Sequence, residues 1–229
     1  MFRLEPILPI FSKDIGSFTF NLTTSIVIEW IVILILGIGA FLLTKNLKLK
    51  PSKTQSALEK IYQSIRDLVV NIMGEEYESF LPYIGTLMIY LLILNFTGLI
   101  GIEPPTADLS VTVSFAIVTF LVVNLNAIKR NGLLGYGKGL VHPFAFMLPI
   151  NIMERFVLLV SLSLRLFGNM VAAVVLVKLV YSALGSMGML AQFGSPIFVH
   201  LYFDLFDGAI QMIVFAMLTM INIKVIGEH

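Results

Sequence analysis

The sequence predicts an all-α integral membrane protein with about five membrane helices and one amphipathic helix on the membrane surface, the last two membrane helices being long and tilted. Three observations carry this prediction. Of the 229 residues, 58% are hydrophobic and only 13% charged, which leaves too little polar surface to cover a water-soluble globule. The mean hydropathy is +0.94. The apolar residues are gathered into runs long enough to cross a bilayer, which takes about 20 residues per helix. Between the first two runs the pattern changes to apolar positions at helical spacing with charges interleaved. A chain of this length has room for about five or six spans, and it reads as a single membrane domain, 1–229.

Composition also narrows the partners. A formal net charge of +1, with scattered basic residues, gives no basic stripe, so nucleic acid is not an expected partner. Cysteine is absent, which removes disulfides, thiolate metal sites and cysteine nucleophiles. The stretch 1–23 carries Pro6, Pro9, Lys13 and Asp14 and lacks the pattern of a cleaved leader, so it is expected to be an outer N-terminal segment.

The first span is 24–43. Its one charge, Glu29, lies near the start, and the run ends at Lys45, Lys48, Lys50 and Lys53. An excess of lysine after a span marks the cytoplasmic side, which places the N-terminus outside. Trp30, the single tryptophan, suits the outer interface. In 52–73, Ala57, Leu58, Ile61, Ile65, Leu68, Val69 and Ile72 recur at helical spacing while Lys60, Gln63, Ser64 and Asp67 lie between them. That is an amphipathic helix on the cytoplasmic surface, with Pro51 and Ser52 fitting its start and Gly74 its end.

The second span is 80–101, and Glu103, Pro104, Pro105 and Asp108 turn the chain on the outside. The third, 111–128, stops at Lys129 and Arg130 on the inside, in agreement with the polarity of the first. Gly132, Gly135, Gly137 and Gly139 are expected to form a flexible cytoplasmic loop. The stretches 147–184 and 196–226 each exceed one perpendicular crossing at about 1.5 Å rise per residue, so tilted helices are expected. The linker 185–195 has no charge and contains glycines, as an outer turn does, and the C-terminus with Lys224 then lies inside.

Charges within spans cost about 2.5–3.5 kcal/mol each on insertion scales, so each needs a reason. Arg165 sits in an apolar run, and arginine keeps its proton in any plausible environment, so it is a permanent positive charge at depth. Snorkelling, or an ion pair with Glu154, would be the plain structural explanation. Eleven residues apart, the two share a helix face but lie about 16 Å apart along the axis, too far to touch in one straight helix. Asn169, one turn beyond Arg165, supplies an amide on the same face.

In the last helix His200, Asp204, Asp207 and Gln211 fall at i, i+4, i+7 and i+11, one stripe on an otherwise apolar helix. The acids could simply neutralise Arg165 across a helix pair. Two acids and a histidine are nonetheless more than one arginine requires, and titratable groups in line across a membrane suit a proton or cation path. Lys178 points to the opposite face and is expected to reach the outer interface. His142 reads as interfacial, and the many Met and Phe residues as packing or lipid-facing. There is no phosphate-cradling loop and no clustered histidines for zinc, so neither a cofactor, a metal nor a catalytic site of the chain's own is expected.

The run Ser163, Leu164, Arg165, Leu166, Phe167, Gly168, Asn169, Met170 resembles the signature of ATP synthase subunit a of the F-type. It is joined by PINIMERF (149–156), PPTADLSVT (104–112), LKPSKTQ after the first span and GAIQMIVFAMLTM (208–220). The resemblance runs from about Thr19 to Ile223 in the family's order.

The resemblance implies an ion-translocating stator subunit, with the two long helices tilted against a rotating c-ring whose members each bear a buried carboxylate. Ions would load the ring through one aqueous half-channel and leave by an offset one. Arg165 matches the family's essential arginine, and Asn169 and Gln211 match polar residues near it. Asp204, seven residues before Gln211, is expected in the outer half-channel with Asp207 and His200 as companions, and Glu154 in the inner one. Many relatives carry an acid or histidine nine residues after the arginine; here that position is Val174. Also implied are b-type peripheral stalk subunits as partners and a bacterial plasma membrane as location. The rival from another class is an independent secondary cation/proton transporter, but no internal repeat of the kind such proteins show is visible between the halves.

Overall fold

The computed structural model of the chain describes residues 11–15, 18–45, 47–141, 144–187 and 201–228. Five of its helices are long and apolar enough to cross a membrane: Thr24–Thr44, Glu75–Ile100, Leu109–Gly137, Leu148–Leu184 and Leu205–Glu228. The expected all-helical membrane architecture is therefore observed. The N-terminal segment adds an antiparallel hairpin of β1 (Phe11–Ile15) and β2 (Phe18–Leu22), in the register Phe11↔Leu22 to Ile15↔Phe18.

Helix α1 (Thr24–Thr44) buries only Ser25 and Val32, leaning on α3 (Leu81–Phe96) and on the turn Pro105–Ala107. Apart from the half-buried stretch 26–29, which includes Glu29, most of its surface is apolar and exposed, as a lipid-facing helix requires. The amphipathic helix α2 (Lys53–Met73) starts at Ser52, whose Oγ accepts from the Gln55 N–H at 3.3 Å. It stops at Gly74, whose φ of +98° suits glycine. Val69 and Met73 on its apolar face are buried where it packs on α3 and on the last helix, α6 (Gly208–Glu228).

Helix α4 is Leu109–Val141, and here the structure corrects the sequence reading. The four-glycine stretch is not an irregular loop: it continues as helix after a single break at Gly132 (φ +70°, ψ 165°). One left-handed residue redirects the axis, and the residues after it resume the helix because nothing but glycine spacing argued against it. Helix α5 (Leu148–Met187) follows, at 40 residues about 60 Å long, roughly twice the hydrocarbon thickness. A π-helical turn, Leu201–Asp207, then leads into α6.

Helices α3 to α6 share one core around Ile84, Leu91, Val123, Leu166, Met220 and Ile223. Lipid tails are as apolar as these side chains, so close packing and interhelical hydrogen bonds hold such a bundle rather than release of water. Buried amides supply those bonds. Asn126 Nδ2 donates to the Ile223 carbonyl at 3.3 Å and Asn131 Nδ2 to the Gly227 carbonyl at 3.4 Å, tying the end of α6 to α4. At this same end Arg130 donates to Tyr77 Oη at 2.6 Å and to Glu76 at 3.0 Å.

Candidate ion-translocation site

The packed face of α5 is the stripe Leu162, Leu166, Met170 and Ala173, all buried. Arg165 and Asn169 lie at its margin and are exposed in the isolated chain. Among the described side chains Arg165 forms no ion pair, neither with Glu154 nor with Asp207. Its backbone is held instead: Gln211, only 3% exposed in the first turn of α6, donates from Nε2 to the Arg165 carbonyl at 3.4 Å.

From this contact α5 and α6 run antiparallel, and on one side of it they enclose a cavity of about 360 Å³. Arg165 and Glu154 both line this cavity, with Asn151, Ser161 and Asn222 as further polar walls. The two charges that cannot touch within one helix thus share one open space. Arg155 faces it too; one guanidinium nitrogen is buried without a hydrogen-bond partner among the described residues, and the group sits 5.7 Å from the Tyr136 ring centroid. Asn151 Nδ2 donates to the Leu140 carbonyl at 2.8 Å and so fixes the start of α5 to the end of α4.

On the other side of the Gln211 contact lies the π-helical turn that contains Asp204 and Asp207, with Asp207 half-buried. Its wider winding means that counting at 3.6 residues per turn no longer describes the stripe from Asp204 to Gln211. His200 lies outside the described residues. The junction of the turn with α6 is held from α3. Asn95, fully buried, donates from Nδ2 to the Gly208 carbonyl at 3.0 Å and accepts from Thr106 Oγ1 at 3.0 Å. Gly208 is needed for this approach, since a Cβ there would come within 3.0 Å of Asn95 Cβ. A π turn is often found at functional sites, and here a buried amide with one donated and one accepted hydrogen bond supports it.

Lys178 pairs with Glu103, Nζ to Oε1 at 2.5 Å, in the turn between α3 and α4, which gives it a structural role. The sequence reading did not single out Asn95, Thr106, Asn151, Ser161 or Asn222. For Asn95 a signal existed, an amide alone in a long apolar run, where a polar group must find a partner.

The geometry defines a polytopic membrane protein with a midspan arginine that lines a polar cavity between two of its helices. The family model of the ATP synthase A chain matches residues 26–224. The ATP synthase subunit a, sodium ion specific, of Propionigenium modestum is 36% identical over 225 residues, covering 91% of this chain and 75% of that protein. The ATP synthase subunit a of Moorella thermoacetica is 35% identical over 220 residues (96% and 91%), and that of Bacillus subtilis 34% over 232 (92% and 95%). The chain belongs to the ATP synthase A chain family. It is accordingly an ion-translocating stator subunit of an F-type ATP synthase and has no catalytic site of its own.

Proposed function

We propose that ions cross this subunit by two offset half-channels that meet at Arg165, loading and unloading the carboxylates of a c-ring that turns against α5 and α6. The observation that carries this reading is the division of polar groups about the Arg165–Gln211 contact. The cavity with Glu154 lies on one side, and the turn with Asp204 and Asp207 on the other. A continuous polar path would leak; a fixed cation between two separate ones forces ions onto the passing ring. A guanidinium within about 4–6 Å of a ring carboxylate lowers its pKa by about 1–3 units and so favours release.

In this scheme Arg165 holds the arriving carboxylate ionised, and Asn169 and Gln211 position it. Glu154 serves the inner half-channel, and Asp204, with Asp207 and His200, the outer one. The exposed apolar residues Met153, Val157, Val160 and Leu164 of α5 suit contact with the ring, and b-type stalk subunits hold the chain against rotation. The lysines after α1 favour an outer N-terminus and a cytoplasmic C-terminus in a bacterial plasma membrane.

The test is ATP-driven ion uptake and ion-driven ATP synthesis by the purified complex in vesicles, with and without sodium. Arg165→Ala should abolish synthesis while the complex still assembles. Synthesis at the normal rate by that variant would refute the assignment.

A further inference from the structure

The cavity between α5 and α6 carries a charge that the proposed ion path does not use. Among the described residues that line it, the charged ones are Glu154, Arg155 and Arg165, all on α5, while α6 contributes only uncharged Leu218, Asn222, Val225 and Ile226. With Arg165 facing the ring carboxylates, Glu154 and Arg155 together set the charge that an ion meets on its way through.

Arg155 is built into the wall from α4. Tyr136 Oη donates to Asn124 Oδ1 at 2.6 Å. Twelve residues of unbroken helix would part these two by about 18 Å along the axis, so the bond exists because the break at Gly132 turns the end of α4 back along its earlier part. Asn124 Nδ2 donates to the Phe120 carbonyl at 2.7 Å, which fixes the amide and with it the Tyr136 ring. The Arg155 guanidinium lies 5.7 Å from the centroid of that ring, within the range at which an aromatic face attracts a cation. Among the described side chains Arg155 forms no ion pair, with Glu154 or with any other acid, as expected of adjacent helical residues, which do not face each other. One of its guanidinium nitrogens is buried with no hydrogen-bond partner there. A permanent cation is thus held at the cavity with its charge not spent on a direct contact.

We infer that Arg155 is a charge-balancing residue of this cavity, offsetting Glu154 so that ions pass through without being trapped. The inference rests on the reading of the cavity as the inner half-channel. A passage must hold an ion well enough to admit it and weakly enough to release it. Glu154 alone would concentrate a negative potential between low-dielectric walls, and the neighbouring guanidinium cancels much of it. Arg165 does not serve this purpose, because its charge is met by each arriving ring carboxylate.

The experiment is ATP-driven uptake by the whole purified complex in vesicles, with radioactive sodium or, in sodium-free buffer, with a pH-sensitive dye for protons. The ion that the unaltered complex takes up is used throughout. Rates across its concentration give a maximal rate and a half-saturating concentration. Arg155→Gln should lower both, each about threefold or more, because an uncompensated carboxylate holds the ion. Arg155→Lys, which keeps the charge, should return both most of the way. Glu154→Gln combined with Arg155→Gln should restore the half-saturating concentration, since the trap is gone. If Arg155→Gln lowers only the amount of assembled complex or the maximal rate, leaving the half-saturating concentration unchanged, Arg155 is a packing residue and the inference is overturned. Glu154→Gln alone separates the two levels of failure. Altered uptake in Glu154→Gln beside an unmoved half-saturating concentration in Arg155→Gln defeats this inference only; unaltered uptake in Glu154→Gln defeats the inner half-channel reading and the inference with it.

Discussion

Gln211 meets Arg165 at its backbone rather than at its guanidinium, the Nε2 amide donating to the carbonyl oxygen at 3.4 Å. That contact fixes the register of α6 against α5 without consuming the charge. Gln211→Leu should therefore shift the helix pair while keeping Arg165 in place chemically. A loss on the order of 1 kcal/mol in complex stability is expected, with ATP synthesis reduced severalfold and assembly retained. Thermal unfolding and vesicle synthesis rates measure the two effects.

Asn95 and Gly208 act as one unit. Asn95→Leu leaves the Thr106 hydroxyl and the Gly208 carbonyl without their buried partner, at about 1–3 kcal/mol. Gly208→Ala drives a methyl to 3.0 Å from Asn95 Cβ and displaces the π-helical turn. Each should slow ion-driven synthesis, and Asn95→Gly with Gly208→Ala together should cost less than the sum of the two single changes, because only loss of the Asn95 Cβ removes the 3.0 Å contact. Additive losses would separate the two residues.

Asp204→Asn removes a titratable group but keeps size and polarity. It is expected to reduce ion-driven synthesis much more than it reduces assembly, and Asp204→Glu to restore part of the rate. Unchanged synthesis by Asp204→Asn would take this residue out of the path.

The cavity predicts a steric block. Ser161→Leu places a branched apolar side chain into the 360 Å³ space that Arg165 and Glu154 line. ATP-driven uptake should fall strongly, and Ser161→Ala, which opens rather than fills the space, should leave it near normal. Equal effects of the two variants would indicate that volume there is not limiting.

Gly132→Ala tests the break in α4. At φ +70° and ψ 165° Gly132 holds a conformation essentially reserved for glycine, and an L-residue there costs on the order of 1–3 kcal/mol, so the variant should unfold at a lower temperature. Gly132 lies outside the α5–α6 seam, so synthesis per assembled complex should be retained.

Arg165, Glu154, Asp204 and Asp207 were legible because charged side chains in long apolar runs are costly wherever the helices pack. Asn169 and Gln211 were legible from helical spacing and the family motif. Gly132 was half-legible: glycine spacing marks a change of direction, but whether Gly132 alone or the whole stretch 132–139 leaves the helix depends on what packs on either side. The π-helical turn breaks the period by which a stripe is counted, and no composition signal announces it.

The sequence by itself determined that this chain lives in a bilayer, how many times its helices can cross, and that a permanent cation stands in the middle of one of them. These follow from transfer energies and helix geometry, which are local. Only the tertiary structure decided that Glu154 and Arg165 face one cavity and that Gln211 grips the Arg165 backbone. It alone decided, too, that Asn95 supports the turn bearing the acids. Those relations join residues 11 to 113 positions apart, and their register is set by how antiparallel helices interlock.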